Sequence, residues 1–133
     1  VSPTRSAGAP EANGRYRKAV QFADAAILFG DDATTDVGEF GDACVTLAVH
    51  SGIASADVIS ISLLGEYSAT GNHHESVAVL RRADPEAAKH LERLLAMKTK
   101  AGYAHRSASA DDISKARRAH EALLARAAEV RGS

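Results

Sequence analysis

DVGEFGDACVTLAVHSGIASADVISISLLGEY, residues 36–67, is the stretch whose reading decides the fold. Phe40, Cys44, Leu47, Ala54, Val58 and Ile61 recur at helical spacing and trace one apolar stripe. Asp36, with Glu39 three residues on, is a start of the capping-box kind. The spacing therefore predicts one long helix from Asp36 to about Tyr67. Ala43, Ala48, Ser51, Gly52, Ser55 and Ala56 are small, so neighbouring helices can approach this one closely. That marks it as the central helix of a bundle. Gly52 costs about 1 kcal/mol against Ala in a helix and is a candidate kink.

Working outward, a first helix is expected over Gly14–Phe29. Tyr16, Val20, Ala23 and Ile27 form its stripe and Gly30 stops it. The acidic run DDATTD (31–36) then reads as a polar connection. Upstream, residues 1–13 are rich in Ser, Ala, Gly and Pro, and read as a flexible arm in front of a single domain over 14–133. On the other side, ATGN (69–72) is a turn. Asn72 and Glu75 make a cap-and-N3 pair for a short helix His73–Arg82. Asp84 caps the next helix, Pro85 takes its first position and Glu86 sits at the positive end of its dipole. Leu91, Leu94 and Leu95 form its inner face, and Gly102 is its expected stop. Ser109 with Asp112 opens the last helix, whose stripe is Ile113, Ala116, His120, Leu123, Ala127 and Val130. No strand signal stands out. The expected fold is all-α, an antiparallel four- to five-helix bundle.

Composition agrees. The 133 residues suit one domain, and alanine is abundant while aromatics make up 5% and Trp is absent, which favours close helix packing over a sheet. Cys44 is the sole cysteine, so neither an intrachain disulfide nor a multi-cysteine zinc site can form. No uninterrupted apolar run reaches the roughly 20 residues of a bilayer span, and the expected setting is cytoplasmic, away from membranes. The net charge of −1 conceals a split. Residues 1–80 carry 4 Lys/Arg and 10 Asp/Glu, whereas residues 81–133 carry 12 Lys/Arg and 7 Asp/Glu. An acidic half and a basic half attract each other across a dimer, or the basic half meets an anion.

Candidate chemistry concentrates at KTKAGYAHRSASADD (98–112). Extending the Leu91–Leu94–Leu95 face by a turn reaches Lys98, which should point inward, while Lys100 should face solvent. Tyr103, His105 and Arg106 follow within a few residues. His105 has the titration range of a general acid or base, and a lysine supplies positive charge for a phosphoryl group. The ordinary alternative is a capped helix end with snorkelling lysines. Elsewhere, Asp57 sits among apolar neighbours and wants a basic partner, with Lys98 a plausible one. His73, His74 and Glu75 are adjacent, so their side chains diverge and make a poor chelate; no metal or cofactor is expected. Arg117 and Arg118, with Arg106 and Lys115, make the start of the last helix basic against its own dipole, which points to an anionic partner or to the acidic run DDATTD of a second chain. No phosphate-cradling Gly loop, Ser-His-Asp pattern or HExxH is present.

Three stretches in this order, AVHSGIASADVI (48–59), NHHESVAVLRR (72–82) and LLAMKTKAGYAH (94–105), resemble the HEPN superfamily of small helical bundles. The resemblance covers about residues 14–130. It implies a homodimer associated with RNA or a nucleotide, of the kind found in toxin–antitoxin or defence systems beside a cognate antitoxin or toxin protein. His74 lies in one of the matching stretches. HEPN ribonucleases carry an Arg followed a few residues on by a His at this helix end. Here Lys98 and His105 have six residues between them, and Lys100 and His105 have four, so the spacing fits while the arginine is a lysine. Lys100-Ala101-Gly102-Tyr103 is similar to a basic-A-x-Y variant in which nuclease activity does not follow. Lysine lacks the planar fork that grips phosphate with two hydrogen bonds. The resemblance thus leaves open a metal-independent endoribonuclease or a non-catalytic structural and dimerisation module.

Overall fold

The computed structural model describes residues 3–35, 37–103 and 107–131, with the side chains of 30–35, 37–39 and 99–103 outside that description. Its elements are β1 (Thr4–Ser6), α1 (Ala9–Thr35), α2 (Val37–Leu64), β2 (Glu66–Ser68), α3 (His73–Ala83), α4 (Pro85–Tyr103) and α5 (Ala110–Val130). The helical periodicities build a bundle of five helices, beside which β1 and β2 pair as a minor two-stranded antiparallel sheet.

Helix α2 is the axis of the bundle. Against α1 it runs antiparallel. The Phe29 and Phe40 rings meet at 5.5 Å at one end, Cys44 Sγ donates to the Ala26 carbonyl, Ser51 Oγ donates to the Ala19 carbonyl at 2.8 Å, and Asp57 faces Arg15 at the other. Against α5 it runs parallel, since Gly41 lies beside Ala108 and Ile113 while Gly52 lies beside Leu123. Antiparallel packing thus describes the hairpin pairs but not the contact of α2 with α5. Val45, Val49, Val58 and Ile59 of α2 are buried together with Leu80, Leu91, Leu94, Ile113, Ala116 and Leu123. Phe40–Leu64 is long and apolar enough to cross a bilayer by length and composition, although no uninterrupted apolar run had marked it. Its apolar surface is spent here on α1, α4 and α5, and 61% of its most apolar part is buried.

Three boundaries differ from expectation. Residues 4–6 form a strand, and α1 begins at Ala9 rather than Gly14. Glu11 caps this start by accepting from the Gly8 N–H at 2.9 Å. Gly30 does not stop α1, which continues to Thr35 through part of the expected polar connection. Isolated glycine is a weak breaker when a helix has a partner to pack on. Finally, α2 ends at Leu64. Gly65 adopts a left-handed φ of 73°, its N–H returns to the Ile61 carbonyl at 2.8 Å, and Glu66–Ser68 peels off to pair antiparallel with β1. The cap expected at Asp36–Glu39 lies outside the described residues. Ile27, expected in the inner stripe of α1, is 44% exposed.

The remaining caps form as local chemistry dictates. Asn72 Oδ1 accepts from the His74 and Glu75 N–H groups. Ser109 and Asp112 make the reciprocal capping box at 3.1 and 3.0 Å. Every residue of the expected α5 stripe is buried. Asp84 does more than cap: Oδ1 accepts from the Ala87 N–H at 3.1 Å, and Oδ2 accepts from Arg126 Nε at 2.8 Å, riveting the α3–α4 corner to α5. Burial pushes this carboxyl up, but the Ala87 N–H and the Arg126 guanidinium outweigh it and hold it below the usual carboxylate range. Replacing Asp84 with Ala removes a cap and a charge-assisted bond together. Urea unfolding should show a loss of about 2 kcal/mol.

Candidate functional site

The inward face of α4 carries Leu91, Leu94 and, a turn later, Lys98. Against it lies α3, whose N-terminus is set by the Asn72 cap. Because the two helices run antiparallel, His73 at the start of α3 meets Lys98 near the end of α4. Lys98 Nζ and His73 Nε2 are 2.6 Å apart. An ammonium group has only donors, so Nε2 accepts and the imidazole proton resides on Nδ1.

This pair sits in a half-open cleft of about 650 Å³ between α3 and α4, lined by His73, His74, Val77, Arg81, Glu92, Leu95, Ala96 and Lys98. Val77, Leu95 and Ala96 make an apolar floor, and the basic groups stand around it. Arg81 and Glu92 form an ion pair that ties the two helices at the far end. Burial depresses the His73 pKa, and the charges of Lys98, His74 and His50 depress it further. His73 is therefore neutral at pH 7, as the lysine hydrogen bond requires. Lys98→Met should raise the His73 pKa towards the ordinary histidine value, with burial still holding it below. A proton-NMR titration of the imidazole measures this, and an unchanged His73 titration would contradict the contact.

Lys98 points inward, as its helical phase requires. His74 lines the same cleft but is exposed. Lys100 and Tyr103 lie within α4, but their side chains are outside the described residues. His105 and Arg106 lie outside them altogether. Asp57 belongs elsewhere. Its partner is Arg15, with Nε and Oδ2 3.6 Å apart, and not Lys98, because α2 presents this residue to the start of α1. Arg118 is exposed on α5, and Arg117 is partly buried with Nη2 lacking a hydrogen-bond partner. Neither lines the cleft. His120 is 2% exposed and its Nδ1 has no partner. Burial holds it below the ordinary histidine value, partly offset by Glu121.

His73 is the residue that sequence reading undervalued. Beside His74 and Glu75 it looked only like a failed chelate, and among the described residues no group of three metal-ligating side chains exists. Its partner is 25 positions away, and only the packing of α3 on α4 brings them together. No protein-family model and no curated protein matches this sequence.

Proposed function

We propose that this chain is a non-catalytic helical-bundle module of the HEPN kind, acting through association with a second copy or with another protein. The observation that carries this reading is the Lys98–His73 hydrogen bond. Lys98 is one of the two lysines, with Lys100, whose spacing to His105 fits that of the nuclease arginine, and its amine is committed to an imidazole. That imidazole is in turn held neutral by burial and by the lysine charge. A histidine depressed in this way is scarcely protonated at neutral pH and so has little proton to give as a general acid, and a lysine offers a point charge where two parallel hydrogen bonds would be needed.

A second reading, HEPN-type association with RNA or a nucleotide in a toxin–antitoxin or defence setting, is favoured by the lining of the cleft. His73, His74, Arg81 and Lys98 surround an apolar floor, which suits an anionic group attached to a flat or apolar body.

Two measurements separate them. Purified protein incubated with total RNA should leave it intact, and light scattering should report a dimer. Cleavage that disappears in His105→Ala overturns the non-catalytic reading. A strictly monomeric protein removes the self-association half of it. RNA retention that weakens in Lys98→Met without cleavage moves the assignment to the second reading.

A further inference from the structure

A second basic surface lies away from the cleft, where α1 passes the two-stranded sheet. Glu11, Gly14, Arg15, Arg17, Lys18 and Gln21 of α1 face Tyr67 of β2 across a groove of about 580 Å³. Its charge is not background. The first 80 residues hold only four Lys/Arg among ten Asp/Glu, and three of those four cations are in this groove.

Each lining residue bears on what the groove can hold. Glu11, its one acid, is committed to the Gly8 N–H at 2.9 Å. Arg17 and Lys18 are exposed, and among the described residues neither has an ion-pair partner. Arg15 is held by its surroundings without being satisfied by them. Its guanidinium lies 5.5 Å from the Tyr67 ring centroid and 3.6 Å from the Asp57 carboxylate, beyond ordinary hydrogen-bond length. Gly14 leaves the wall open, since even an added Cβ there would be 3.8 Å from Arg17 Nη2.

Two guanidinium forks and one ammonium lining one open groove are too much charge for a single carboxylate. They match an anion with several negative oxygens close together. We propose that the groove between α1 and β2 binds a diphosphate-bearing small molecule, with Arg17 and Lys18 as the primary contacts and Asp57 as a competitor that restrains Arg15. This inference uses none of the residues of the α3–α4 cleft and stands apart from the function proposed there.

The competition gives the site a pH signature. Asp57 is mostly buried, and burial pushes its carboxyl up to about 6 against the opposing pull of Arg15. Around it, α1 presents Arg15, with Glu11, Arg17 and Lys18 further along, and β2 presents Tyr67. Above pH 6 the ionised carboxylate holds Arg15; below it, the neutral acid releases the guanidinium.

Isothermal titration of the full chain with inorganic pyrophosphate tests the proposal. The exposed double variant Arg17→Gln/Lys18→Gln should bind at least about tenfold more weakly. Asp57→Asn should bind severalfold more tightly than the parent at pH 7.5 and equally at pH 5. Comparing the two proteins at each pH cancels the titration of the ligand itself. Unchanged affinity in the double variant overturns the site. So does an equally tight fit to an aspartate-rich peptide of the same charge, which would assign the groove to a protein partner. Equal affinity of Asp57→Asn and parent at pH 7.5 overturns the competition.

Discussion

Gly52→Val should destabilise the fold by about 3 kcal/mol, the upper part of the range for overpacking a filled core. Propensity alone argues the opposite way, since glycine costs about 1 kcal/mol against alanine inside a helix. The tertiary contacts decide. A Cβ at Gly52 would collide with Leu94 Cδ1 and stand 3.3 Å from Leu123 Cδ1. Both leucines are fully buried at 0% exposure, so neither has a free rotamer into which to retreat. Glycine is what lets α4 and α5 close on α2 at the same level. Thermal unfolding should show a midpoint roughly 10 °C lower for Gly52→Val, with a smaller fall for Gly52→Ala. A neutral or raised midpoint would show that the leucines repack freely and that the close approach is not essential.

Asp57→Asn carries the second large effect, in the stabilising direction. Burial pushes the folded-state carboxyl up to about 6, above the ordinary aspartate value of 3.8. A raised pKa means that the folded chain holds the proton more tightly than the unfolded chain. The resulting stability is fully present below pH 3.8, fades as pH rises and is lost once pH passes about 6. At neutral pH the buried charge therefore costs roughly 2 kcal/mol, even with Arg15 nearby. Asparagine keeps the shape and removes the charge, and Arg15, 39% exposed, stays hydrated. The variant should be about 2 kcal/mol more stable at pH 7.5 and no more stable at pH 4. Comparing variant with parent matters because His120 and His73 act in the opposite sense. Their depressed pKa values give stability that is present above pH 6.5 and lost on acidification. A gain that persists at pH 4 would mean that burial of the Asp57 charge is not its source.

Reading the chain residue by residue reached some of these features and not others. The α5 stripe, the Ser109–Asp112 capping box, the Asn72 cap and the Asp84–Pro85 restart were legible because each is a local device. Their hydrogen bonds span two to four residues, and their apolar spacing follows the pitch of a helix. The inward direction of Lys98 was legible for the same reason. The two-stranded sheet was not, since three-residue strands are too short to show a period and Thr4–Ser6 finds Glu66–Ser68 only across the whole of α1 and α2. Gly30 misled because a glycine's local cost is small beside the packing of a long helix.

By itself, then, the sequence determined a helical bundle, the buried faces of α2, α4 and α5 and the punctuation of α3, α4 and α5, because these depend on neighbours a turn or less away. Only the tertiary structure decided which polar groups meet. It joined Lys98 to His73 instead of Asp57, gave Asp57 to Arg15, set α5 parallel to α2 and gathered Arg15, Arg17 and Lys18 opposite Tyr67. A helical period states which face a residue occupies but not which face of which helix will lie against it. That choice is made by the fit of whole surfaces, here organised around the small residues of α2.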